Sequence, residues 1–177
     1  YPPFMHLDRV AFAASDVGRA EQVLGELKAG LPGDILGPAP LLRLRGRYRA
    51  QLVAKTDRPR AVASTAARLA PTLVPAATLA GKLLSEAHQV RRAMRIIEAA
   101  WLVNPHPDLA DVYAYVKLGD SARQRLVRVE ALAAKAPGHL ESALALARAA
   151  IDASEFARAR EALAPFTIYP SGSAAAQ

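Results

Sequence analysis

Four arginines at alternate positions, Arg43, Arg45, Arg47 and Arg49, stand within the stretch LRLRGRYRAQLVAK at Leu42–Lys55 of a 177-residue chain. Alternate residues of a β-strand share one face. Four guanidinium groups on such a face form a stripe that can displace counterions from a polyanion and pair with phosphates. Lys55 extends the same set as a candidate DNA contact. The blander reading is a solvated edge strand kept soluble by its charge. Tyr48 has a ring that could stack on a base, but it falls with Leu42, Leu44, Ala50 and Leu52 on the apolar face, which makes it a core residue.

Little else in the chain has the spacing of a reaction centre. The histidines His6, His88, His106 and His139 are scattered. His106 with Asp108 and Asp111 resembles a metal cluster only in composition. Prolines flank the histidine, and Asp108, with Asp111 three residues on, serves better as a helix N-cap. No nucleophile elbow, Ser–His–acid pattern or glycine-rich phosphate loop is present. The chain has no cysteine, which removes disulfides, thiolate zinc sites and a cysteine nucleophile. A non-catalytic protein without cofactor or metal is therefore expected.

Hydrophobic residues make up 52% of the chain and charged residues 22%, a globular balance. Aromatics are only 6%, and the apolar surplus is alanine, which favours closely packed helices. The net charge of +7 and pI of about 10.1 suit an acidic or polyanionic partner. There is no run of about 18 apolar residues and no basic leader before an apolar one. A cytoplasmic location without a membrane segment or signal peptide is expected. The chain opens YPPF with no initiator methionine, as a piece of something longer would.

The arginine stretch needs a sheet to hold it. Met5–Ala14 reads as a strand, Asp16–Ala29 as a helix capped by Ser15 or Asp16, and Ile35-Leu36 as a short strand closed by Gly37-Pro38-Ala39-Pro40. Leu42–Lys55 is the next strand, with Gly46 as a bulge or bend that would reset the alternation. The order β-α-β-β is most of a split-βαβ sandwich. YPPF, ILGPAP and LLRLRGRYRAQLVAK, in this order and spacing over residues 1–57, resemble the C-terminal domain of the primosomal replication-restart helicase PriA (primosomal protein N′). That resemblance implies a small α+β domain that helps bind branched or single-stranded DNA. Tyr1, Pro2, Pro3 and Phe4 would form its entry, Gly37, Pro38 and Pro40 its turn, and Arg43, Arg45, Arg47, Tyr48 and Arg49 its polar surface. The helicase motor motifs and zinc cysteines are absent, so helicase or ATPase activity does not carry over. The family's last strand has no counterpart after Lys55.

Beyond Pro59 the pattern changes. Pro71, Pro105, Pro137 and Pro170 stand 34, 32 and 33 residues apart, the period of tetratricopeptide repeats. Helices are expected at 60–70, 75–88, 90–103, 108–116, 121–135, 140–152 and 155–165, with Asp120 and Ser154 as further caps. Gly81, Ala93, Ile97, Ala100 and Pro105 have the mutual spacing of the small and punctuating positions of one repeat. Ala147, Ala159, Leu163 and Phe166 repeat it. Arg125 occupies a small-residue position in the middle repeat, whose helices should sit farther apart. Trp101, at helical spacing, is expected in the core, and one of Tyr113 and Tyr115 in a partner-binding groove.

Residues 62–166, and above all the motif from Trp101 to Leu126 (W…PHPDLA…Y…GDSA..RL), resemble the repeat region of HemY. That bacterial inner-membrane family is associated with haem and porphyrin metabolism, and its two membrane helices are missing here. The expected architecture is an α+β module at residues 1–57 joined to an all-α repeat array at 58–177, as in a fused or recombined chain. The expected partners are DNA at the arginines and a protein or peptide in the helical groove. A pure interaction scaffold and an accessory of porphyrin metabolism are the alternatives.

Overall fold

The computed structural model describes residues 6–14, 17–44 and 46–167. Strand β1 (His6–Ala14) and helix α1 (Val17–Gly30) are followed by β2 (Asp34–Leu44) and β3 (Arg47–Thr56). The strands form one antiparallel sheet in the order β1-β3-β2. The stretch expected as a single strand from Leu42 to Lys55 is instead a hairpin. Gly46 takes the left-handed conformation (φ 77°) that a reversing turn requires, so Leu42–Leu44 complete β2 while Arg47 opens β3. The segment Gly37–Pro40 does not close its strand either. It passes through β2 at a register shift between Leu36 and Ala39, the kind of irregularity that accommodates proline's missing N–H. Lys28 of α1 fixes this point by donating to the Gly37 carbonyl at 2.7 Å.

The chain then runs through α2 (Pro59–Leu69), α3 (Val74–Glu86), α4 (Val90–Val103), α5 (Pro107–Ala114), α6 (Ala122–Ala133), α7 (Leu140–Asp152) and α8 (Phe156–Leu163). All seven helices expected from periodicity are present, each end within two residues of its expected position. Successive helices pack as hairpins, α3 on α4, α5 on α6 and α7 on α8, and α5 bridges α3 to α7.

Two of the hairpins turn identically. His88 (φ 57°) and Ser154 (φ 62°) both adopt left-handed backbone just beyond a helix end. At each, the next residue's N–H reaches back, Gln89 to the Leu84 carbonyl and Glu155 to the Ala150 carbonyl, both at 2.8 Å. Each is a Schellman closure, and Ser154 thus ends α7 rather than capping α8. The middle hairpin lacks this closure and needs a longer connection, from Tyr115 to Ser121.

Small residues set the helix spacing. Ala76, Ala77, Ala80, Ala93, Ile97, Ala100 and Trp101 are all at most 1% exposed. All but Ala93, which packs with Leu84 and Val116 in a second small cluster, join Leu24 of α1, Leu52 of β3 and Ala159 of α8 in one connected core. Gly81 shows why: a β-carbon there would stand 2.8 Å from Ile97 Cδ1 and 2.9 Å from Val112 Cγ1. Replacing Gly81 with leucine should overpack the crossing of α3, α4 and α5 and cost about 1–3 kcal/mol, read as a lower urea midpoint. An unchanged midpoint would mean that the crossing is not tight.

Candidate nucleic-acid interface

β3 is the central strand, not an edge, so its arginines do not serve to blunt an exposed strand edge. Its residues alternate cleanly. Ala50, Leu52, Ala54 and Thr56 are buried, packed with Leu24 and Leu27 of α1 and Ile35 of β2. Arg47, Arg49, Gln51, Val53 and Lys55 take the opposite face, with Arg47 and Lys55 exposed and Arg49 half-buried. The strand rise sets Arg47 about 7 Å from Arg49 and about 27 Å from Lys55. Among the described residues none of these three cations makes a hydrogen bond or ion pair, which leaves all three available to an anion.

The registered neighbours on this face of β2 include Leu41 opposite Arg49, Ala39 opposite Gln51, the exposed Leu36 opposite Val53 and the exposed Asp34 opposite Lys55. Arg47 and Arg49 thus stand over a low, partly apolar sheet surface, while Lys55 faces a carboxylate across the ladder. Of the remaining candidate contacts, Arg43 lies on β2, with its side chain outside the described part. Arg45 and the entry residues Tyr1–Phe4 lie outside the described residues. Tyr48 is half-buried and shares the strand face of Ala50 and Leu52, as expected of a core-side ring.

A second cationic feature was not legible as a cluster. Between α2 and α4 lies a groove of about 1000 Å³ whose lining includes Arg58, Arg60, Arg68, Arg92 and Arg95. In sequence these arginines are scattered across residues 58–95. Only the packing of α2 against α4 gathers them.

The motif from Trp101 to Leu126 resolves into structural duties. Trp101 and Leu109 are fully buried. His106, rather than Asp108, is the N-cap of α5: its Nδ1 accepts from the Asp108 N–H at 3.2 Å. Tyr113 is buried and donates to Glu98 Oε1 at 2.6 Å, and Lys135 Nζ lies 3.2 Å from Glu98 Oε2. Burial first, and the Glu98 bond second, hold the Tyr113 phenol well above its ordinary pKa.

Ser121, rather than Asp120, caps α6, in a capping box with Gln124. Asp120, its side chain 6% exposed, pairs instead with Arg128, whose side chain is 13% exposed. Arg128 also donates to the Ala114 carbonyl at 2.7 Å, and Arg125 to the Asp120 carbonyl at 2.7 Å. Arg125, the oversized residue of the middle repeat, thus ties down the long α5–α6 connection and stacks over the ring of the exposed Tyr115. Among the described residues no group of three His, Cys, Asp or Glu stands close enough to hold a metal.

Removing the Asp120 carboxylate would strand a buried guanidinium. Asp120→Ala should cost about 3–5 kcal/mol, seen as a drop in thermal midpoint, and D120A/R128M should recover part of it. Equal midpoints for wild type and D120A would refute the buried pair.

Residues 1–84 match the family model described as the primosomal protein N C-terminal domain. The match takes in the whole sheet, α1, α2 and most of α3, somewhat under half of the chain, and supports the resemblance read from the N-terminal motifs. No curated protein and no solved structure matches the chain. No described helix is long and apolar enough to cross a membrane.

Proposed function

We propose that this chain is a non-catalytic nucleic-acid-binding protein of the replication-restart type. In this reading an N-terminal basic module at residues 1–57 contacts branched DNA and is joined to a helical scaffold at 58–177. The observation that carries it is the placement of Arg47, Arg49 and Lys55 on the strand face of β3 opposite the core, within the segment similar to the primosomal protein N C-terminal domain. Guanidinium and ammonium groups so placed recognise phosphate without reading bases.

The helical part is read as a tetratricopeptide-like scaffold. The proline period, the Gly81 crossing and the two identical turns at His88 and Ser154 support that reading. Tyr115 favours a protein partner there: it is 55% exposed and lines the hollows on both flanks of α5. The likeness to HemY would add an accessory role in porphyrin metabolism, for which a change in porphyrin absorbance on mixing is the direct readout.

Titration of labelled forked DNA at two salt concentrations tests the main reading. Wild type should bind and weaken as salt rises. The variant R47A/R49A/K55A should lose roughly tenfold or more in affinity and lower the salt slope by about 2–3. Absence of wild-type binding at low salt would reject the nucleic-acid reading and leave the helical scaffold as the functional part.

A further inference from the structure

The groove between α2 and α4 adds something that the sheet does not supply. Its mouth begins at Asp57 and Arg58, directly after β3 ends at Thr56. Arg58 and Arg60 enter it from the start of α2, Arg68 from the end of α2, and Arg92 and Arg95 from α4. Asp57 is the one carboxylate in its lining, and it stands 3.9 Å from Arg58. Gln89 accepts from Arg92 at 2.7 Å, and the Arg91 carbonyl accepts from Arg95 at 3.4 Å, so these two are oriented without being neutralised. Arg60 and Arg68 have no hydrogen-bond or ionic partner among the described residues. Five guanidiniums on two helices around one hollow are a strong concentration of positive charge, and their planar forks fit phosphate oxygens in pairs. Ser64 and Thr65 add hydroxyl donors to the lining.

The chemistry of the lining narrows the occupant. Single-stranded nucleic acids are held chiefly by stacking successive bases on aromatic rings, with arginine planes as an adjunct, and this groove is lined by no aromatic residue. What it offers is contact to a phosphate backbone whose bases are already paired. We infer that the α2–α4 groove receives the phosphate backbone of a double-stranded nucleic-acid arm, as a cationic surface separate from that of β3. The inference rests on the nucleic-acid reading above but is separable from it, because α4 lies beyond the matched residues 1–84. All five arginines are exposed, so their removal should leave the fold intact.

Three variants decide it, each checked for native helicity by circular dichroism. They are the groove variant R60A/R68A/R92A/R95A, the sheet variant R47A/R49A/K55A, and R123A/R148A/R158A/R160A on α6–α8 as a charge-matched control. The probe is a labelled blunt duplex of about thirty base pairs, titrated at two salt concentrations. The groove variant should bind at least tenfold more weakly, with a salt slope lower by about 2–4, while the control changes less than threefold.

Equal losses in the groove variant and the control would overturn the inference, since net charge alone would then explain binding. An unaffected groove variant beside a crippled sheet variant would overturn it and leave the nucleic-acid reading standing. No duplex or fork binding by wild type would end both. Tighter binding of a labelled Glu/Leu peptide than of duplex, lost in the groove variant, would overturn it in favour of an acidic protein segment.

Discussion

Close approach of helices through small side chains is the constraint on which this structure depends. With so few aromatic residues, the chain cannot fill wide gaps between elements. It closes the gaps instead, placing buried alanine or glycine where α3 meets α4 and α7 meets α8. Gly81 is the extreme case, with room for no β-carbon beside Ile97 and Val112. Helices held this close form a stiff array. Apart from the buried Asp120–Arg128 pair, most charged side chains collect along the grooves and open faces.

β3 shows the same economy in a sheet. It is the central strand, and one strand face carries Ala50, Leu52 and Ala54 into the core while the other carries Arg47, Arg49 and Lys55 outward. Its neighbours satisfy the backbone on both sides, so the cations stand on a fixed platform rather than on a fraying edge. That distinction matters for function. An edge strand explains surface charge by solubility alone, whereas a central strand has no edge to protect and leaves its arginines without that structural excuse.

Much of this was legible in the sequence, and what was missed has a physical cause. Periodicity located every helix of the array because each buries apolar residues at helical spacing. The alternation in Arg47–Lys55 was correct for the same reason. The hairpin at Gly46 was not separable from a bulge, because both use a glycine and both reset the alternation. Cap positions slipped wherever two polar residues competed: His106 against Asp108, and Ser121 against Asp120. Aspartate is the better intrinsic cap than histidine, whereas aspartate and serine cap about equally well, and in the second case a buried arginine claimed the aspartate. The α2–α4 groove was invisible because its arginines become neighbours only through helix packing.

The continuous core bears on how the two parts should be understood. Leu24 beneath the sheet and Ala159 on the last helix belong to one connected apolar cluster, and the matched segment ends inside α3 at residue 84. A boundary drawn by chemistry and one drawn by packing therefore fall in different places. Surface chemistry changes after Lys55, where alternating cations give way to helical grooves. Packing has no such break, since α2 touches both the sheet and α3. α2 is thus the joint of the molecule: its buried face (Val62, Ala63, Ala66 and Ala67) continues the core, and its arginines line the groove. A perturbation of α2 should reach both halves at once, because the same eleven-residue helix supports the sheet and forms one wall of the groove.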